Sequence, residues 1–121
     1  MPHLRIDYSA NLPAAVAWPA LFTDLHGVLR DVAEVDVGNC KSRAYRAEHY
    51  RVGDGKSAEA FVHLELQLLE GRPPELLGEL GNQALGCLER HCCRDDSAQP
   101  LQLTVVVGEL VRERYFKRAS G

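Results

Sequence analysis

The feature that most constrains the fold is an order of elements that occurs twice along the chain. Residues 3–8 alternate apolar and polar side chains, as a half-buried strand does. Apolar residues then follow helical spacing from Trp18 to Val32, and an extended polar segment, 40–52, completes a strand–helix–strand unit. Because residues 58–111 repeat this order, the sequence predicts two units of one kind.

The second unit, residues 56–111, has the more apolar strands. Its first strand, 58–69, alternates, and Gly71-Arg72-Pro73-Pro74 ends it and opens a helix. The nearly continuous apolar run from Leu101 to Val111 is typical of a strand buried on both faces. The stretch Pro2–Asp7 also echoes Val62–Gln67 at an offset of sixty residues, which supports a duplication.

These units predict the topology of an α+β domain. Gly53-Asp54-Gly55 closes the first unit, and its Asp-Gly pair predicts a hairpin from which the third strand returns antiparallel. Within each unit, a right-handed crossover should make the two strands parallel. We therefore expect one domain of tandem βαβ units, 1–55 and 56–111, followed by a basic and less ordered tail, 112–121. Its four-stranded mixed sheet should carry both helices on one face.

The opposite face of such a sheet has no element to cover it. A chain of 121 residues is close to the usual size of one domain and supplies no further layer. The apolar character of the last strand indicates that this second face is buried as well. We therefore expect the chain to form a homo-oligomer.

The overall charge and hydropathy exclude several classes of partner. The formal net charge is −3 with acids and bases interspersed, so neither nucleic acid nor an anionic membrane is an expected partner. No apolar run approaches membrane-spanning length, and the N-terminus lacks the order of a signal peptide. We expect a cytoplasmic protein with reduced thiols, and any site for an anion must be local.

The four cysteines do not predict a disulfide framework or a metal site. Cys40 stands alone, whereas Cys87, Cys92 and Cys93 crowd one segment. Cys87 and His91 would share a helix face, but the chain offers no convincing second pair of ligands for zinc. We therefore expect buried small hydrophobic thiols and no bound metal.

Three histidines also lack a pattern that would give them a chemical role. His3, His49 and His63 stand in no recognisable triad or ligand spacing. We expect them to pack or to form hydrogen bonds.

Pro2 is a candidate base. A small second residue normally allows Met1 to be removed, and the secondary amine of Pro2 would then be the N-terminus. A free α-amino group has a pKa of about 7.7–8.0, so desolvating or cationic surroundings need lower it only slightly to make it a base at neutral pH. The alternative is that Pro2 merely starts an edge strand, where its missing N–H costs nothing.

The polar second strand could supply the cationic surroundings. Alternation places five side chains of this strand on one side, namely Lys41, Arg43, Tyr45, His49 and Arg51. Arg43 and Arg72 could present planar guanidinium groups to carboxylates. Solvated charges on an exposed strand are the alternative interpretation. A cationic pocket beside an amine would bind an acidic substrate and also lower the pKa of that amine.

Several short motifs, in this order and spacing, carry a family resemblance. They are Met1-Pro2-His3, Tyr8-Ser9-Ala10-Asn11, Ser42-Arg43, Asp54-Gly55, Ala60-Phe61-Val62-His63 and Gly71-Arg72. Through them the chain resembles the 5-carboxymethyl-2-hydroxymuconate isomerases of the tautomerase superfamily. The resemblance extends from Pro2 to the start of the second helix and, more weakly, to the final strand. It implies doubled βαβ subunits assembled as a homotrimer, with the sheets facing inward.

The resemblance also implies a reaction and its residues. Pro2 would move a proton from the 2-hydroxyl side of a dienol diacid or triacid to a distant carbon, giving an unsaturated ketone without a cofactor. The substrate would be 5-carboxymethyl-2-hydroxymuconate or a similar acid from the breakdown of homoprotocatechuate-type compounds. Arg72 and Arg43 match family arginines that bind carboxylates, whereas Lys41 stands where the first arginine of an Arg-Ser-Arg run would be. Lysine keeps the charge but loses the bidentate fork, so the preferred acid could differ.

Two further functions remain open at this point. Related superfamily members use their proline for other tautomerisations, for decarboxylation or for dehalogenation. The chain could also be a non-enzymatic, oligomeric module that captures small carboxylates with Arg43 and Arg72. The enzymatic functions require removal of Met1, because only then does Pro2 carry a basic lone pair.

Overall fold

A computed structural model describes residues 1–121 as a four-stranded mixed sheet with two helices on one face. The first unit consists of β1 (His3–Ser9), α1 (Trp18–Ala33) and β2 (Lys41–Ala47). The second consists of β3 (Ala60–Leu69), α2 (Pro74–Cys92) and β4 (Leu101–Leu110). Short 3-10 turns, Val37–Asn39 and Arg112–Arg114, follow α1 and β4. The predicted pair of βαβ units is confirmed.

The strand order is β2-β1-β3-β4, with parallel pairing inside each unit and antiparallel pairing between β1 and β3. The predicted hairpin between the second and third strands is wrong, because β3 lies beside β1. Residues 48–59 cross the end of β1 instead of reversing tightly, and Gly53 and Gly55, at φ 57° and 78°, make a turn within this loop. The more apolar strands β1 and β3 take the centre, and the polar β2 takes an edge.

The core lies between the sheet and the two helices. Alternate residues of the central strands face this layer, and Leu4, Ile6 and Leu64 are fully buried there. Leu25 of α1 and Leu88 of α2 meet them from the helical side. Burial of one such side chain contributes about 1.5–3 kcal/mol, so both units stabilise one shared core.

The other face of the sheet is uncovered within one chain and is largely polar. The guanidinium of Arg5 lies 4.7 Å from the ring centroid of Tyr45, and His63 Nδ1 lies 2.6 Å from Thr104 Oγ1. β4 alternates here, with Val105 packed against the core and Val106 exposed by 48% on the open face. Burial of β4 on both faces is therefore not achieved within one chain.

The helices and the tail complete the description. Neither α1 nor α2 combines the length and the apolar character that a membrane-spanning helix requires. The tail beyond β4 turns back towards the start of β1, where the hydroxyl of Tyr115 lies 3.1 Å from His3 Nε2. The side chain of the next residue, Phe116, is 87% exposed.

Candidate active site

Pro2 lies directly before β1 and is buried. Its carbonyl oxygen accepts a hydrogen bond of 3.1 Å from the backbone N–H of Lys41, which extends the pairing between β1 and β2 by one step. Because proline has no N–H, its nitrogen donates no hydrogen bond to the sheet. With Met1 present, that nitrogen is an amide.

A cavity of about 210 Å³ opens beside Pro2 at this end of the sheet. It is formed by the start of β1, the segment after α1, the end of β3 and the residue that follows β4. Its lining residues are Met1, Pro2, Val35, Asp36, Asn39, Leu68, Leu69, Arg72 and Arg112. The antiparallel placement of β3 brings the end of that strand to the start of β1.

Arg72 is held at the cavity by two backbone carbonyls. Its Nη1 donates to Leu69 O at 3.1 Å and its Nη2 donates to Ala33 O at 3.3 Å. The preceding Gly71 has φ 123°, a conformation that favours glycine and lets the chain turn from β3 into α2. A guanidinium has five N–H donors, so Arg72 keeps further donors for a ligand.

The surroundings of the α-amino group favour a neutral amine. In this chain the group belongs to Met1, and its pKa is lowered below the ordinary value, first by burial and next by the positive charge of Lys41. Cys40 acts in the opposite sense, and Lys117 and Arg72 lower the pKa by smaller amounts. Burial and like charges both disfavour the protonated amine, so an amine at this end of the chain is poised to act as a base near neutrality.

The two predicted binding residues of β2 lie outside this cavity. Lys41 is exposed, and its Nζ donates to the carbonyl oxygen of Asn39 at 3.0 Å. Arg43 extends along the open face to His3, where its Nη1 lies 3.3 Å from Nδ1 of the imidazole. The structure thus brings Pro2 and Arg72 together in one cavity and places Lys41 and Arg43 beside it on the neighbouring strand.

His3 connects Arg43 to the C-terminal tail. Arginine can only donate, so Nδ1 of His3 accepts and Nε2 carries the hydrogen that faces the hydroxyl of Tyr115. Burial, followed by the charges of Arg43 and Lys41, lowers the pKa of His3. The imidazole is therefore neutral at pH 7 and can accept from Arg43. The prediction that His3 forms hydrogen bonds agrees with these contacts.

Sequence reasoning missed three polar residues that line the cavity. Asp36 and Asn39 belong to the segment after α1, and Arg112 directly follows β4. The last of these could have been found, because β3 and β4 are parallel and the residues after two parallel strands lie at one edge of the sheet. The position of the first two depends on how the 3-10 turn between α1 and β2 folds.

A larger cavity, of about 390 Å³, lies at the opposite end of β1, around Tyr8 and Trp18. Its arginines are already paired on the surface, Arg46 with Glu48 and Arg94 with Asp96. No predicted site residue lines it. The cavity beside Pro2 is smaller but combines an amine with arginine side chains, so it is the candidate active site.

The cysteines form no second centre. Cys40, Cys87, Cys92 and Cys93 are all free thiols, and burial raises the pKa of Cys92 to about 11. A thiol with so high a pKa is a poor nucleophile and a poor metal ligand at neutral pH. No group of three or more His, Cys, Asp or Glu side chains is placed to hold a metal ion.

The doubled βαβ sheet with both helices on one face is the fold of the tautomerase superfamily. One solved structure of this fold is a fused 4-OT protein described as a wild-type symmetric trimer. It is 14% identical to this chain, has a TM-score of 0.68, and the match covers 96% of this chain and 93% of that one. At this identity the likeness concerns the fold alone.

The sequence identifies a family within this superfamily. The model of the 5-carboxymethyl-2-hydroxymuconate isomerase family matches residues 2–120, so the chain belongs to that family. A crystal structure of a 5-carboxymethyl-2-hydroxymuconate isomerase from Deinococcus radiodurans R1 is 32% identical, with a TM-score of 0.87 and coverage of 98% of this chain and 90% of that one. The 5-carboxymethyl-2-hydroxymuconate Delta-isomerase of Escherichia coli is 24% identical over 118 residues, 98% of this chain and 94% of the relative.

Proposed function

We propose that this protein is an isomerase that converts 5-carboxymethyl-2-hydroxymuconate, or a similar dienol polyacid, to its unsaturated keto form by proton transfer through the amine of Pro2. The observation that carries the proposal is the cavity that Pro2 shares with Arg72, in a chain of this family. Removal of Met1 is part of the proposal, because the amide of an uncleaved chain has no basic lone pair.

The proposed reaction needs one proton relay and no change of oxidation state. The neutral amine of Pro2 takes the proton of the 2-hydroxyl group, and the electrons of that O–H bond form the C=O bond. The conjugated double bonds shift, and the amine returns the proton to a distant carbon. The support comes from the surroundings of the Met1 amino group, one residue before Pro2, where burial and nearby cations lower the pKa of an amine. Nothing in this sequence of steps calls for a cofactor.

Arginine and lysine side chains would bind the carboxylates of the substrate. Arg72 is the candidate inside the cavity, because its guanidinium is held by Leu69 O and Ala33 O and retains free donors. We assign Lys41 and Arg43 to the same task from the adjacent strand, where the charge of Lys41 already acts on the amino group. These cations would also stabilise the charge that develops on the conjugated oxygen.

Lys41 favours a second candidate within the same class. A lysine binds a carboxylate as a point charge and cannot form the bidentate contact of an arginine. The proline chemistry would then act on a different acid, in another tautomerisation, a decarboxylation or a dehalogenation. A panel of dienol, β-keto and haloacrylate acids separates these reactions by their products.

We further propose a homotrimer, in which copies of the chain cover the open face of the sheet. Val106 on that face is 48% exposed, and the fused 4-OT structure of the same fold is described as a symmetric trimer. Small polyacids of this kind arise in the breakdown of aromatic acids such as homoprotocatechuate. We therefore expect the protein to act on a soluble metabolite in the cytoplasm.

The deciding experiment combines intact-mass analysis with an absorbance assay on 2-hydroxymuconate-type dienols. Protein that has lost Met1 should ketonise the dienol, whereas a form with an N-terminal extension should not. Pro2→Ala should lower kcat/KM by roughly 10²-fold or more, the usual contribution of a positioned base. Pro19→Ala, in the first turn of α1, is the matched proline control and should keep the activity of the folded protein. Unchanged turnover in Pro2→Ala or in the extended form excludes the proline mechanism.

A further inference from the structure

Arg112 is tied to the same turn that carries Arg72. It begins the 3-10 turn after β4, and its backbone N–H donates to Glu70 Oε2 at 2.8 Å. The backbone N–H of Glu70 in turn donates to Leu110 O at 3.0 Å. The ends of β3 and β4 are thus held together, and the position of Arg112 beside the cavity does not depend on its own side chain.

The side chain of Arg112 reaches over Gly71 towards the cavity. Its Nη2 lies 3.8 Å from the point where a β-carbon of residue 71 would be, and the side chain lines the cavity together with Pro2 and Arg72. Arg72 donates two hydrogen bonds to backbone carbonyls. The guanidinium of Arg112, by contrast, forms no intramolecular hydrogen bond or ion pair, so all five of its donors face solvent or a ligand.

The charges around the cavity favour an anion with more than one carboxylate. Arg72 and Arg112 supply positive charge to the lining, and Asp36 is its one acidic residue. Asp36 Oδ1 already accepts from the backbone N–H of Gly38 at 3.0 Å. The two guanidinium groups of the lining can each bind one carboxylate, and the cavity of about 210 Å³, which removal of its lining residue Met1 would widen, favours a small molecule.

We propose that Arg112 is a second carboxylate-binding arginine of the Pro2 cavity and makes the site selective for dicarboxylates over monocarboxylates. Arg72 binds one carboxylate at the turn after β3, and Arg112 binds the other from the end of β4. For the reaction itself this inference rests on the proposed function, but the binding of a dicarboxylate does not.

The first test measures binding without turnover. Glutarate and butyrate, a saturated dicarboxylate and the monocarboxylate of similar length, are titrated into the Met1-free protein and followed by NMR. Arg112→Met should weaken glutarate binding at least tenfold and change butyrate binding less than twofold, and Arg112→Lys should fall between. Arg114→Met, two residues further along the same turn and outside the cavity lining, is the matched control and should bind glutarate as the unmodified protein does. Equal affinities in Arg112→Met and Arg114→Met overturn the proposal.

The second test separates this inference from the proposed function. In Arg112→Met, KM for a dienol diacid should rise about tenfold with kcat within a factor of two or three, whereas a monoacid enol should be unaffected. Pro2→Ala should retain Arg112-dependent binding of glutarate while losing turnover. If no dienol is turned over but glutarate binding still depends on Arg112, the proposed reaction fails and Arg112 keeps its role. If turnover is normal and neither KM nor glutarate binding responds to Arg112→Met, only this inference fails.

Discussion

The two halves of the molecule share a scaffold but differ in chemistry. In the first half β1 pairs with β2 so that His3 stands opposite Lys41, and in the second β3 pairs with β4 so that His63 stands opposite Thr104. When the two histidines are superimposed, the position of Lys41 corresponds to Thr104. Two residues further on, the position of Arg43 corresponds to Val106, and Pro2 corresponds to Val62 within the chain. Each subunit therefore offers one possible terminal amine.

Both halves of the duplicated scaffold contribute to the one candidate site. The second half has no N-terminal amine, yet it contributes Arg72 and Arg112 to the cavity beside Pro2. Because β3 runs antiparallel to β1, the residues that follow β3 and β4 lie where β1 begins. The first half presents the candidate base, and the second half presents arginines to it.

The largest effect is expected at Val106, the residue of β4 that corresponds to Arg43 on the open face of the sheet. Val106→Asp should abolish the proposed homo-oligomer, because a charge would be buried where copies of the sheet meet. Size-exclusion chromatography with light scattering measures the change. Val37→Asp, at a valine with 40% exposure in the 3-10 turn after α1, is the control and should remain assembled. An oligomer that persists in Val106→Asp places the subunit contact elsewhere.

The second prediction concerns substitutions that give the first half the residues of the second half at two equivalent positions. Lys41→Thr combined with Arg43→Val should lower kcat/KM for a dienol polyacid by roughly 10²-fold or more, because each lost hydrogen bond to a charged partner is worth about 1.5–3 kcal/mol. Steady-state kinetics on the Met1-free protein checks this result. Thr104→Val, at the corresponding position of the second half, should leave kcat/KM within a factor of three. A similar loss in both variants means that the halves do not differ in chemistry.

The third prediction concerns what the halves have in common. Leu4 of β1 and Leu64 of β3 are fully buried in the shared core. Leu4→Ala and Leu64→Ala should each lower the free energy of unfolding by about 2–5 kcal/mol through lost burial and the cavity left behind. Urea denaturation gives both values. A large loss for one leucine and almost none for the other contradicts a core built equally by both units.

The smallest expected effect compares the two equivalent histidines. His3 contacts Arg43, whereas His63 contacts the hydroxyl of Thr104. Arg43→Val should raise the pKa of His3 part of the way towards 6.5, since burial is the larger cause of the lowering and the positive charge of Arg43 the next. An NMR titration measures this pKa, and Thr104→Val should leave it unchanged. No movement in Arg43→Val means that the guanidinium does not act on this imidazole.

The protonation of His3 also makes the stability of the folded chain depend on pH. A folded-state pKa below 6.5 means that the unfolded chain binds the proton more readily. The contribution of neutral His3 to stability is therefore fully present above about pH 6.5 and is lost as the pH falls through the folded-state pKa. In Arg43→Val the folded-state pKa of His3 should lie nearer to 6.5, so the pH range over which this contribution is lost should become narrower.

The local parts of the fold could be predicted from the sequence, and the long-range parts only incompletely. The alternation around Leu4 and Leu64 gives the strands, because burial of every second residue is a local pattern. The Asp-Gly pair of residues 54–55 suggested a hairpin, but strand order depends on which strands bury most apolar surface, and β2 is too polar for a central position. The second strand ends at Ala47, short of the predicted end at residue 52, because its one neighbour in the sheet, β1, ends at Ser9.

Two of the four residues predicted for the site share the candidate cavity, and Lys41 and Arg43 lie outside it. The family resemblance led to Pro2 and Arg72, and the structure places both at one cavity. The predicted parallel pairing of β3 and β4 could have led to Arg112, but its approach to Gly71 depends on the register of these two strands, which alternation does not give. The contact between His3 and Arg43 requires the side-chain directions of two adjacent strands, which alternation alone does not give.

The hydrogen bond from the backbone N–H of Lys41 to the carbonyl oxygen of Pro2 bears on the proposed removal of Met1. The backbone anchors this residue by its oxygen and leaves its nitrogen outside the hydrogen-bond ladder. Cleavage of the Met1–Pro2 bond would change one atom from amide to amine without breaking any contact of the sheet. Under the proposed mechanism, folding and activation would therefore be separate events, and an uncleaved preparation with native circular dichroism and full thermal stability should still be inactive.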